Sequence, residues 1–193
     1  IGVVKTGSVT FEDAEKHRYD NEVRCPDTEA AEKMRRRILS VKKSGNSVGG
    51  VVECVATGLP VGLGEPCFSD LDAELGRALF SIPAVKGVEF GSGFEGSRRL
   101  GSENNDPLTV KGGRVVSVSN NAGGIVGGLS TGMPIVLRVA FKPVSSIAKP
   151  QRTVDLGTMR KAEIITPGRH DPCVVPRAVP IVESIIAVVL ADH

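Results

Sequence analysis

The chain has 193 residues, of which 40% are hydrophobic and 24% charged, and this balance is typical of a globular protein with an aliphatic core. Its formal net charge of +2 is too small to indicate a nucleic-acid partner, and the longest apolar run, residues 185–191, is too short to span a bilayer. The four cysteines lack the paired spacing of a zinc site, so we expect free thiols and no metal.

The first regular element is predicted to be a helix that follows Pro26. Asp27 or Thr28 can cap its N-terminus, and Gly45 is placed to end it. Apolar residues recur on one face at helical spacing, at Ala31, Met34, Ile38 and Val41. We interpret the basic run 35–37 as part of the solvated face. The segment 11–21 before this helix is polar and weakly patterned.

A β-branched stretch then predicts a strand over residues 48–55, although two glycines weaken it. A second helix is predicted to open at Ser69, with Asp72 in an approximate capping box, and to end at Pro83. A short strand over residues 88–90 follows.

The second half of the chain is predicted to be mostly β. Lys111-Gly112-Gly113 indicates a hairpin between residues 108–110 and 115–118, and residues 135–141 form a strongly apolar strand. One or two weaker strands are expected within residues 153–165. A final helix, apolar on several faces, is predicted to start near Pro180.

This order of elements lacks regular βαβ alternation, and no glycine fingerprint for dinucleotides joins a strand to a helix. The sequence therefore predicts an α+β fold with a largely antiparallel sheet. We expect one domain over residues 1–193 without an internal boundary.

A glycine-rich segment, residues 120–132, contains two Gly-Gly pairs together with Ser130 and Thr131. Such backbone can crowd N–H groups around an anion or a flat ring, but it is equally typical of a turn-rich connection. Phe141-Lys142-Pro143-Val144-Ser145-Ser146 follows the next strand. Its lysine and serines suit contact with a phosphate.

The segment 168–183 places Arg169, His170 and Asp171 on consecutive residues. The arginine can hold an oxyanion and the aspartate can accept a proton, although a surface ion pair is the alternative. Three prolines stiffen this stretch, at Pro172, Pro176 and Pro180. Stiff backbone favours a preorganised site.

Together these segments resemble the C-terminal signatures of the chorismate synthase family. The resemblance covers residues 168–183 over their whole length, residues 121–132 with Leu129 for the usual isoleucine, and residues 141–146. Shorter ordered matches lie at residues 24–27, 47–52, 62–66, 84–89 and 91–94. An ordered series of this kind over most of the chain is far more specific than any single motif.

The resemblance implies a β-α-β sandwich with helices between largely antiparallel sheets, assembled as a homotetramer. It implies a lyase that removes phosphate from 5-enolpyruvylshikimate 3-phosphate by 1,4-anti elimination to give chorismate. Reduced FMN is required without net redox change. The implied location is cytoplasmic, or plastid in a plant-like source.

Position by position, the resemblance implies an FMN-contacting set made of Pro83, Ala84, Gly127, Lys142, Pro143, Val144, Ser145, Ser146 and Arg169. Arg169 is also implied in substrate binding. Asp171 matches the aspartate placed near the flavin and implicated in proton movement, which makes it the expected catalytic residue.

The family's N-terminal signature and its two acid histidines have no match here, and His17 corresponds to neither histidine. We therefore expect a fragment that supplies the flavin side of the enzyme and is inactive alone. Two alternatives stay open: a non-catalytic flavin-binding or oligomerisation module, and an unrelated phosphate-binding protein.

Overall fold

A computed structural model describes residues 1–193 as an α+β protein with several small sheets. The helices are α1 (Phe11–His17), α2 (Thr28–Lys43), α3 (Leu71–Phe80), the single turns α4 (Gly93–Gly96) and α5 (Gly101–Asn104), and α6 (Val175–Asp192). The strands are β1 (Gly50–Ala56), β2 (Val85–Phe90), β3 (Leu108–Lys111), β4 (Arg114–Ser117), β5 (Ile125–Val126), β6 (Leu129–Ser130), β7 (Ile135–Phe141), β8 (Gln151–Asp155) and β9 (Arg160–Ile164). The predicted fold class is confirmed.

Contacts within the chain define two compact units, and each is built from two stretches of sequence. The first comprises residues 1–50 and 141–178, and the second comprises residues 51–140 and 179–193. A single domain without an internal boundary stays a prediction.

The first unit is organised around helix α2. The Asp27 carboxylate accepts a hydrogen bond from the Ala30 N–H at 2.9 Å, and Gly45 has the positive φ of +65° that favours glycine after a helix. The buried residues of the helix are Ala30, Ala31, Met34 and Val41. The unit also contains the antiparallel hairpin β8–β9, which pairs Gln151 with Ile164 and Asp155 with Arg160.

The second unit contains the largest sheet, with strand order β1-β7-β2. Strand β7 alternates buried and half-buried residues, as a strand with one face on a core does. The largest fully buried side chains lie on α3, β7 and α6: Leu71, Leu75, Leu79, Ile135, Leu137, Val139 and Val182. They form the aliphatic core that the sequence predicts.

Two antiparallel hairpins also belong to the second unit. The β3–β4 hairpin pairs Leu108 with Ser117 and turns at Gly112-Gly113, as predicted. The β5–β6 hairpin pairs Ile125 with Ser130 and lies inside the glycine-rich segment, residues 120–132.

Two predicted helix starts are wrong, and one helix is absent from the prediction. The last helix begins at Val175, so Pro180 lies inside it rather than in its first turn. Residues 11–17 form α1 despite their weak pattern, because Thr10 caps it by accepting a hydrogen bond from the Asp13 N–H. Helix α3 is preceded by Asp70, not Ser69, and no side chain caps it.

None of the helices combines the length and apolar character that a bilayer-spanning segment needs. The structure contains no cluster of three or more acidic, cysteine or histidine side chains able to hold a metal ion.

Candidate functional site

The segment 142–146 follows strand β7 directly, belongs to the first unit and is held by hydrogen bonds to its backbone. The Ser47 hydroxyl donates a hydrogen bond to the Val144 carbonyl at 2.5 Å, and the Gln151 amide donates to the Ser145 carbonyl at 3.3 Å. Because these contacts use main-chain atoms, the side chains of Lys142 and Ser145 stay exposed. Lys142 takes no part in the ion pairs of the structure.

The absence of a side chain at Gly49 allows the backbone of residues 141–143 to pass close to it. A Cβ on Gly49 would overlap the carbonyl oxygen of Phe141 and lie 2.9 Å from the nitrogen of Pro143. The backbone at the start of segment 142–146 (the lysine segment) therefore packs directly against Gly49, and a larger residue at position 49 would displace it.

Asp171 lies between two arginines just before helix α6. Its Oδ2 accepts a hydrogen bond from Arg177 Nη1 at 2.9 Å, and its Oδ1 lies 3.5 Å from Arg169 Nη1. The carboxylate is 27% exposed, whereas the Arg169 side chain is 81% exposed. The structure thus contains the ion pair left open as an alternative, and Arg169 still presents N–H groups to solvent.

Arg177 is a residue that the site prediction missed, although it stands in the quoted signature. It is the third residue of α6, six positions after Asp171, and the non-helical residues 171–174 lead from the carboxylate into the first turn of the helix. The nearby His170 Nε2 donates to the Thr166 carbonyl at 2.8 Å, which turns the ring toward its own loop.

In the second unit, Pro83 and Ala84 form the turn between α3 and β2. The Val85 N–H donates to the Ile82 carbonyl at 3.2 Å, and Ala84 has a φ of +73°. Proline at the second position and positive φ at the third are the features of a type II turn, where glycine is usual at the third. Ala84 is therefore held in a strained conformation.

Gly127 and Gly128 form the two-residue turn of the β5–β6 hairpin, with φ values of +58° and +79°. Such values are typical of a type I′ turn, so the hairpin itself requires these glycines. A Cβ on Gly127 would meet nothing within 4 Å, whereas one on Gly128 would overlap the Asp70 carboxylate. Gly127 thus borders open space and Gly128 is packed.

Ser130 fastens this hairpin to the loop before α3. Its buried hydroxyl donates to the Pro60 carbonyl at 2.6 Å and accepts from the Leu63 N–H at 2.9 Å. The Gly62 N–H donates to the Ser130 carbonyl at 2.8 Å, so two glycine-rich loops share one hydrogen-bond network. Ser130 therefore has a structural role, because its hydroxyl is buried and donates its hydrogen within the protein.

The candidate residues divide between the units. Lys142, Ser145, Ser146, Arg169 and Asp171 belong to the first unit, and Pro83, Ala84 and Gly127 to the second. Within the first unit the structure brings Arg169 and Asp171 together with Arg177. That all the predicted residues line one pocket stays a prediction.

The segments described above all lie in the part of the chain that matches known proteins. The chorismate synthase family model matches residues 2–193. The chain is 52% identical over 193 residues to chorismate synthase of Korarchaeum cryptofilum, covering 100% of this chain and 54% of that protein. It is 56% identical over 182 residues to chorismate synthase of Archaeoglobus fulgidus, covering 94% of this chain and 49% of that protein.

A solved crystal structure of chorismate synthase superimposes with a TM-score of 0.76 at 35% identity. The match covers 94% of this chain and 47% of the solved chain, so the chain spans about half the length of the relatives it matches. The family model covers nearly every residue, and sequence and fold agree. The chain belongs to the chorismate synthase family.

Proposed function

We propose that this chain supplies the flavin-binding side of a chorismate synthase, which eliminates phosphate from 5-enolpyruvylshikimate 3-phosphate to give chorismate. The observation that carries the proposal is the family match over residues 2–193, which includes every predicted site residue. Substrate, FMN and homotetrameric assembly are all proposals that follow from this membership.

Lys142 and Ser145 fit the phosphate of FMN. Both side chains are exposed on backbone that is fixed from behind, and Lys142 lacks an ion-pair partner. An ammonium group without an ion-pair partner and an exposed hydroxyl provide a point charge and a directional donor, which is what phosphate binding requires. We assign Pro143, Val144 and Ser146 to the same contact because they belong to the segment that the family resemblance matches to an FMN contact.

Gly127 and the Pro83-Ala84 turn fit contact with the flat ring of the flavin. Gly127 borders open space, so a planar group could approach its backbone closely. When bound, reduced FMN would supply electron density as the substrate's phosphate leaves.

Asp171 is proposed to accept or hold a proton near the reacting carbons, with its orientation fixed by Arg177. The carboxylate stays half-buried while Arg169 remains largely exposed. We assign Arg169 to an anionic group of FMN or substrate, since its exposed N–H donors match an oxyanion. Fixing the carboxylate in advance avoids a reorganisation cost during reaction.

The proposal is tested by titrating FMN into the chain and following flavin fluorescence. Lys142→Ala is expected to weaken binding by about tenfold, the scale of one charge-assisted hydrogen bond. Lys149→Ala is the matched control, because Lys149 is also exposed and lies seven residues further along the same unit. Its affinity should stay within about twofold of the unchanged chain.

Addition of 5-enolpyruvylshikimate 3-phosphate to the FMN-bound chain should then perturb the flavin spectrum, since both ligands are proposed to share a site. Equal FMN affinity in the two lysine variants would remove Lys142 from the site. If the chain binds FMN but the substrate leaves the flavin spectrum unchanged, the alternative of a flavin-binding module without catalytic function is favoured.

A further inference from the structure

Asp106 is the acceptor for three hydrogen bonds at the start of the glycine-rich segment. Its Oδ1 accepts from the Ser119 hydroxyl at 2.6 Å and from the Asn121 N–H at 2.7 Å, and its Oδ2 accepts from the Ala122 N–H at 2.9 Å. These partners lie 13 to 16 residues away, across the β3–β4 hairpin. One half-buried carboxylate therefore joins the base of the hairpin to the segment that carries Gly127.

Asn121 is held from further sides by neighbouring elements. The Ser92 N–H donates to its carbonyl at 2.7 Å, and Arg99 Nη1 donates to its side-chain oxygen at 3.0 Å. The Asn120 side chain in turn donates to the Pro134 carbonyl at 2.8 Å, two residues after the segment ends. Asp106 provides the negative charge of this network, and charge-assisted hydrogen bonds are the stronger kind.

The two residues after Ala122 are glycines with positive φ, and the hydrogen bonds around Asp106 fix the backbone just before them. Gly123 and Gly124 have φ values of +68° and +82°, and the Thr131 N–H donates to the Gly124 carbonyl at 2.9 Å. A shift of Asn121 and Ala122 would therefore pass along fixed backbone into the β5–β6 hairpin.

We propose that Asp106 is a positioning residue, which fixes residues 120–132 in the conformation that presents Gly127 to FMN. This inference rests on the proposed function for its ligand, but its structural step stands on the contacts of Asp106 alone. Asp106 acts through the backbone of Asn121 and Ala122 and needs no contact of its own with cofactor or substrate.

Asparagine is a discriminating substitution at this position. The carboxylate uses both oxygens as acceptors, so an amide must turn its NH₂ group toward at least one N–H or O–H donor. Asp155 supplies the matched control, since both of its backbone hydrogen bonds go to the same oxygen. Its Oδ1 accepts from the Gly157 N–H at 2.8 Å and from the Thr158 N–H at 3.2 Å. An asparagine at residue 155 can keep both bonds through its one carbonyl oxygen.

The experiment compares FMN affinity with amide exchange in the unchanged chain and the variants. Asp106→Asn should weaken FMN binding by about tenfold and speed exchange at Asn121 and Ala122 by a similar factor. Asp155→Asn should leave FMN affinity within about twofold. Asp106→Glu keeps two acceptors but displaces them by one methylene, and its affinity should fall between the other two.

FMN affinity in Asp106→Asn equal to that of the unchanged chain would overturn the proposal. If the unchanged chain binds no FMN, the proposed function fails, and the exchange rates alone decide whether Asp106 positions the segment. Equal rates at Asn121 and Ala122 would then overturn the positioning role. If Asp106→Asn does not fold, Asp106→Glu is judged by the same two measurements, and no change in either overturns the proposal.

Discussion

Ala84 is the residue at which the candidate site shows backbone strain. Its φ of +73° lies in the left-handed region, which costs a non-glycine residue roughly 1–2 kcal/mol. A glycine there would relieve that strain but add about 0.4–1 kcal/mol of unfolded-state entropy. Ala84→Gly is therefore expected to raise the free energy of unfolding by about 0.5 kcal/mol.

Ala73→Gly provides the control for this substitution. Ala73 is exposed within helix α3 of the same unit, where glycine costs about 1 kcal/mol relative to alanine. Urea denaturation should therefore give opposite signs for the two variants. Destabilisation by Ala84→Gly as large as that by Ala73→Gly would show that no strain is stored at the turn.

The sequence is sufficient to predict site residues whose charge and immediate neighbours already indicate a function. Lys142, Arg169 and Asp171 carry charge in short segments with proline, and the structure gives each an exposed or paired setting. Asp106 has no such signal, because its partners are separated from it by a complete hairpin. The backbone N–H groups that donate to a carboxylate are set by the fold and not by the residues next to it in sequence.

Among the elements, those with signals at both ends were predicted well. Helix α2 has Asp27 before it and Gly45 after it, and β7 is an apolar run closed by Pro143. The sequence predicts the start of helix α6 five residues too late, because proline favours a first turn whereas Pro180 lies inside the helix. Its buried residues Ala178, Val182 and Ile186 continue across the proline, so packing outweighs the lost hydrogen bond.

The glycine-rich segment shows why one pattern can support two interpretations. Gly127 and Gly128 are needed for a tight hairpin turn, and Gly127 also borders open space. A sequence shows that positive φ is required but not what lies next to the glycine. The turn interpretation is confirmed, and contact of Gly127 with the flavin stays a prediction.

Gly49 gives a prediction about how an element ends. A methyl group there would overlap the backbone of Phe141 and Lys142, which cannot rotate away as a side chain could. Gly49→Ala is expected to lower the free energy of unfolding by about 1–3 kcal/mol. It should also shift the backbone NMR resonances of residues 142–144, since that backbone must move.

Gly76→Ala is the matched control, because the same methyl group enters open space in the middle of helix α3. Alanine is favoured over glycine there, so this variant should gain about 0.5–1 kcal/mol. Stability of Gly49→Ala equal to that of the unchanged chain would contradict the close packing inferred for the lysine segment.

Over the whole molecule, the limit of sequence reasoning lies in long-range pairing. Each unit joins segments far apart in the chain, such as residues 1–50 with residues 141–178. The largest sheet of the second unit has the strand order β1-β7-β2, so its middle strand is the last of the three in sequence. Local periodicity predicts that these strands exist, but their order depends on how the chain closes around its core.

Three aspartates spread over the chain make its stability depend on pH in the acid range. Hydrogen bonds from the backbone of Ala30 and Gly7 lower the pKa of Asp27, and those from Gly157 and Thr158 lower the pKa of Asp155. Burial alone would raise the pKa of Asp106, but the hydrogen bonds from Ser119, Ala122 and Asn121 outweigh it and lower the pKa.

A carboxyl group with a lowered pKa in the folded state stabilises that state only while it is ionised. The contribution is complete above the unfolded pKa of about 3.9 and is lost as pH falls through the lower folded value. The free energy of unfolding should therefore be nearly level from about pH 6 to pH 5 and fall steadily below about pH 4. Urea denaturation followed by circular dichroism at several pH values measures this slope.

A variant with asparagine at residues 27, 106 and 155 should be less stable at neutral pH and should lose less stability on acidification. An acid slope as steep in this variant as in the unchanged chain would show that other carboxylates dominate.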